Sequence, residues 1–192
     1  MRSFSELAGK DLRWHGDFPF PITTEGDLHY VLYDANEPVV TAQATWKQLA
    51  YFDLLVESGD GVHQVHIDTM DWHRRSVAWK TGEPTSLAGF VLESEGSFSV
   101  KGWITTASGR SLALVPTSSS GFEYVVFAPG GPRLITVFPP IKGIGGNPGY
   151  MLIAPEAASD PELPALVGLS FALACEQVML VHRSQPRFPP SF

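Results

Sequence analysis

The chain has 192 residues, 44% apolar and 17% charged, a balance unlike that of a disordered chain and one that fits one domain, residues 1–192, around a single core. Thirteen Lys and Arg against twenty Asp and Glu leave a formal charge of −7, which repels phosphate backbones and excludes nucleic acid as an expected partner. The lone cysteine, Cys175, rules out a disulfide framework and a cysteine-based zinc site, and it suits a reducing compartment, so the expected location is cytoplasmic.

Residues 1–27 read as an N-terminal arm. Met1–Lys10 lacks the apolar stretch of about 7 to 15 residues that a secretory signal needs, and Trp14, Phe18 and Phe20 predict that the arm packs on the rest of the chain. From Leu28 to Ala154, short apolar runs alternate with Gly, Pro, Ser, Asp and Asn, the pattern of antiparallel strands joined by turns. About eleven strands are expected, at 28–34, 38–42, 49–57, 62–67, 76–79, 87–92, 97–103, 111–115, 122–127, 133–138 and 150–153. Turn signals include Asp34-Ala35-Asn36-Glu37, Ser58-Gly59-Asp60-Gly61 and Pro129-Gly130-Gly131. No helical periodicity interrupts them, so βαβ crossovers and a parallel sheet are disfavoured.

The character changes at Asp160-Pro161-Glu162, which supplies an N-cap, a proline at the first helical position and an acid in the first turn. A helix over 160–183 follows, apolar nearly all round, and such a helix must be enclosed by protein or by lipid. The uninterrupted run from Leu163 to Cys175 is shorter than the roughly 20 residues a membrane crossing needs. The expectation is therefore a helix buried inside the sheet, with no transmembrane span. Small residues, Gly168, Ser170, Ala172 and Ala174, allow strands to approach it. Residues 184–192 form a proline-rich tail carrying Phe188 and Phe192.

Two segments carry candidate chemistry. His63 to Arg74 concentrates imidazoles and carboxylates, and His66, Asp68, Asp71 and His73 are of the types that ligate zinc and related metals. On a strand, His66 and Asp68 share one face and His63 takes the other, so convergence would require the following turn to return His73. The plainer reading is a polar hairpin rim. In the glycine-rich Gly143-Ile144-Gly145-Gly146-Asn147-Pro148-Gly149, Lys142 with the amides of Gly143 and Gly145 could hold an anion. That loop leads into a strand and contains a proline, which favours a simple hairpin connection. Ser170 and Cys175 lie on the apolar helix, where packing explains them better than nucleophilic chemistry does.

About a dozen short strands followed by the stretch Leu163-Pro164-Ala165-Leu166-Val167-Gly168-Leu169-Ser170-Phe171-Ala172-Leu173-Ala174-Cys175-Glu176 resembles the tubby C-terminal-like architecture. Tubby proteins, phospholipid scramblases and LURP-one-related proteins share it. The resemblance implies a mainly β fold, a closed antiparallel β-barrel of about 12 strands around one apolar C-terminal helix. It also implies a non-enzymatic binding or structural module without a cofactor, whose partner is a protein or a lipid head group. The chain departs from the tubby-type phosphoinositide site, which uses a Lys and Arg constellation, because no Lys-x-Arg pair occurs in it. Two alternatives stand beside this reading. One is a metal-dependent protein or enzyme built on His66, Asp68, Asp71 and His73, and the other is a β-barrel carrier of a lipophilic ligand.

Overall fold

The structure, a computed structural model, describes residues 1–16, 25–47, 51–68, 76–81, 89–94, 100–106, 108–117, 123–139 and 149–184. It opens with a short helix α1 (Phe4–Leu7), then strands β1 (Leu12–Gly16), β2 (Glu25–Asp34), β3 (Glu37–Lys47), β4 (Tyr51–Ser58), β5 (Gly61–Asp68) and β6 (Ser76–Thr81). Strands β7 (Gly89–Ser94), β8 (Val100–Thr105), β9 (Ser111–Pro116), β10 (Tyr124–Phe127), β11 (Arg133–Phe138) and β12 (Gly149–Ile153) follow. A 3₁₀ turn, Pro155–Ser159, leads into helix α2 (Leu163–Ser184).

The chain is mainly β, with all recorded strand pairs antiparallel in one sheet of order β6-β5-β4-β3-β2-β1-β12-β11-β10-β9-β8-β7. Apart from β6 and β7, neighbours in the chain are neighbours in the sheet, which keeps each closing loop short in entropic terms. The exception is the β1–β12 ladder, where Leu12 faces Met151 and Trp14 faces Gly149, joining the two ends of the described sheet sequence. Residues 1–27 are thus more than an arm: β1 occupies the middle of the sheet order. Among the described residues no ladder joins β6 to β7, so the sheet is not closed by hydrogen bonds, although the two strands come within 8 Å between Cα atoms.

Strand alternation sends one side chain in two to a common apolar face. Leu28, Tyr30 and Leu32 of β2, Ala42, Ala44 and Trp46 of β3, and Tyr124 and Val126 of β10 are all buried in it. Against this face lies α2, and every residue described from Ala165 to Cys175 is buried. Burial on all sides is tolerable because a helix satisfies its own amides. Ser170, the polar residue within that stretch, donates its hydroxyl to the Leu166 carbonyl at 2.5 Å. Each enclosed Leu, Val or Phe contributes about 1.5–3 kcal/mol before entropy is deducted.

The helix begins two residues later than the capping pattern predicts. Asp160 Oδ1 accepts from the Glu162 amide at 2.9 Å, closing a turn ahead of Leu163, so the aspartate shapes the approach to the helix. Arg110, just ahead of β9, binds Asp160 at 2.6 Å, and Ser108 donates its amide and hydroxyl to the Glu162 carboxylate at 3.0 and 3.1 Å.

Register assigns the strand ends to two rims. The lower rim carries the β2–β3 and β4–β5 turns, and α1 seals it with Phe4 and Leu7, both fully buried. Ser3 caps α1 in a reciprocal box with Glu6. The Arg2 guanidinium reaches Asp34 at 2.7 Å and also pairs with Glu37, while Asp60 Oδ2 accepts from the Phe4 amide at 2.7 Å. The upper rim carries Gly16, Glu25, Lys47, Tyr51, Asp68, Ser76, Phe138 and Gly149.

Candidate functional site

The sequence places its candidate site residues in two segments, and the described strand ends beside both, Asp68 and Gly149, belong to the upper rim. His66 lies two residues below that rim on the outer face of β5. Its partner is Asp53, directly opposite on β4, and His66 Nδ1 donates to Asp53 Oδ1 at 2.7 Å. Both side chains are more than one third exposed, so the pair works against water and contributes little to stability.

The row continues across the sheet. Asp53 faces Thr45 on β3, Thr45 faces Asp27 on β2, and Thr45 Oγ1 donates to Asp27 Oδ1 at 2.8 Å. Four adjacent strands therefore present Asp, Thr, Asp and His in one line. Strand period alone dictates this, since one register step brings the same face forward on each strand. A carboxylate on one imidazole nitrogen orients the ring and leaves the other nitrogen for acid/base or metal chemistry.

The backbone of Asp68, at the end of β5, stands in register with Tyr51 and Ser76. Asp71 and His73, and likewise Lys142, Gly143 and Gly145, lie outside the described residues. Among the described residues no group of three or more His, Cys, Asp or Glu side chains is arranged to hold a metal ion.

His63, on the same strand as His66, takes the opposite face and is buried. Burial lowers its pKa from the ordinary imidazole value, with the neighbouring Asp60 acting in the other direction. In the core, burial pushes the Cys175 thiol well above its ordinary range, while contact with the Tyr30 hydroxyl opposes the shift. A thiol held protonated in this way is a poor nucleophile.

Sequence reasoning missed Asp53, Thr45 and Asp27 because they lie on three separate strands, and nothing in the local sequence brings them together. A signal for Asp53 existed. Ser58 pairs with Gly61 across the turn, and counting five residues outward along each strand brings Asp53 opposite His66. No family model, curated protein or solved structure matches the chain.

Proposed function

We propose that the chain is a non-enzymatic binding or structural module resembling the tubby-like and LURP-one-related proteins, its sheet closing as a barrel around α2 and its partner met from outside. The partner is a protein or a membrane-lipid head group. The observation that carries this reading is the burial of α2 from Ala165 to Cys175 against the apolar face of the sheet. The approach of β6 to β7 supports closure. A carrier needs room for its ligand, and Leu166, Phe171 and Leu173 take up the space on that face.

A second reading rests on one geometric fact, the contact between Asp53 and His66 at 2.7 Å. It revises the expected cluster, with Asp53 joining His66 as the candidate ligands or acid/base groups. Fold alone does not choose between the readings, because function resides in sites grafted on folds.

Native mass spectrometry of the purified chain separates them. The mass of the bare chain is the expected result. A retained lipophilic molecule would overturn the filled-interior argument, and a retained metal that disappears in His66→Ala would transfer the assignment to the second reading. Co-sedimentation with phosphatidylcholine vesicles, with and without phosphoinositide, then distinguishes a lipid head group from a protein partner.

A further inference from the structure

Away from the polar row, the outer face of β11 and β12 carries a groove of about 370 Å³ at the lower rim, within the range of small-molecule sites. Leu134, Thr136 and Leu152 line it, with Lys10, Asp11 and Arg133 at its lower end. Leu152 is 44% exposed. Leu134 is the extra residue of a β-bulge, since Val126 pairs with Ile135 while Phe127 pairs with Arg133. Bulges re-aim side chains and recur beside binding sites.

The backbone at this end is pinned on both sides of β12. The Gly9 amide donates to the Ile153 carbonyl and the Ala154 amide to the Leu134 carbonyl, both at 2.8 Å. Lys10, two residues ahead of β1, and Arg133, at the start of β11, therefore stand on either side of the end of β12. Both side chains are long enough to converge between them. Each is exposed, and among the described residues neither is in an ion pair. The acid in the groove, Asp11, is already held by Arg13 at 2.9 Å. In a chain of net charge −7, two cations outside any ion pair among the described residues thus stand beside the exposed Leu152 and the partly buried Leu134.

We infer that this groove binds a small amphipathic carboxylate, its head between Lys10 and Arg133 and its alkyl chain along Leu134 and Leu152. Inorganic phosphate would use the cations and leave the leucines wet, and a neutral alcohol would use the leucines alone. The inference is independent of barrel closure and of the Asp53–His66 pair.

The test is an NMR titration of the full chain with octanoate, read at the leucine methyl groups. Octanoate should shift the methyl signals of Leu134 and Leu152, and octanol should bind at least about tenfold more weakly, as expected when a charge-assisted contact is lost. The double variant Lys10→Gln/Arg133→Gln should lose about the same factor while keeping the wild-type melting temperature, because both residues are exposed. Leu152→Asn, also at an exposed position, should weaken octanoate and leave any phosphate response unchanged. Shifts confined to other parts of the chain, equal binding of octanoate and octanol, or full displacement by inorganic phosphate would each overturn the assignment.

Discussion

The indole of Trp14 lies flat against the ring of Phe171, with centroids 3.7 Å apart and planes 15° apart. Tyr30 meets the same phenyl ring edge-on at 5.2 Å. One aromatic cluster thus ties β1, β2 and α2 together. Trp14→Ala and Phe171→Ala should each cost about 3–5 kcal/mol. The double variant should cost less than the sum, because the two residues share a contact. Urea denaturation of the three variants checks this, and strict additivity would mean that the stack contributes nothing of its own.

The N-terminal segment lies on the β4–β5 turn at a point where a side chain does not fit. The Gly59 amide donates to the Arg2 carbonyl at 2.8 Å, and a Cβ on Gly59 would come within 2.4 Å of the Ser3 nitrogen and 2.5 Å of the Arg2 carbonyl carbon. Those are backbone atoms, so the segment must shift. Gly59→Ala should cost about 1–3 kcal/mol and speed amide exchange at Phe4, whose N–H is held by Asp60. Gly61, at φ 107°, has open space around it; Gly61→Ala should lower stability by about 1–2 kcal/mol without altering exchange at Phe4.

Ala35 adopts φ 56° in the β2–β3 turn, a conformation that costs an L-residue about 1–2 kcal/mol. Ala35→Gly should therefore raise stability, by up to about 1 kcal/mol after the greater entropy of glycine in the unfolded chain is counted. A thermal melt that falls instead would show that the alanine methyl makes a compensating contact.

The pH dependence of folding should carry the mark of His63. Burial holds its native pKa below the ordinary 6.5, so the unfolded chain binds the proton first as the pH falls. Stability from the neutral imidazole is fully present above about pH 6.5 and is lost as the pH drops through that value towards the native pKa. Urea midpoints measured from about pH 8 down to about pH 5 should fall less steeply in His63→Leu. An unchanged slope would place the acid sensitivity elsewhere.

Cys175 is fully buried with its thiol pKa raised. At neutral pH it should resist a disulfide exchange reagent in the native protein and react at once in denaturant. Rapid stoichiometric labelling of the native chain would contradict an enclosed α2.

Much of this was legible locally. Short apolar runs such as Leu28–Leu32 stand between turn signals, and the Gly and Asn turns between strands follow from backbone sterics, so the antiparallel strands could be read within a few residues of their ends. The length of the apolar run from Leu163 to Cys175 alone indicated a helix enclosed by protein, and no helix among the described residues is long and apolar enough to cross a membrane.

Tertiary structure decided what depends on distant partners. Leu12–Gly16 is too short and too polar to stand out as a strand, and it becomes one because β2 and β12 supply hydrogen bonds on both edges. Asp53 gains meaning only opposite His66, and Leu134 only as the odd residue of a bulge that lines the same groove as Lys10. Sequence by itself determined the periodicity, because alternation and turn propensity are properties of neighbouring residues. Register, the central place of β1 and the bringing of Lys10 and Arg133 to one groove required the folded sheet, since cross-strand proximity is set by pairing between residues far apart in the chain.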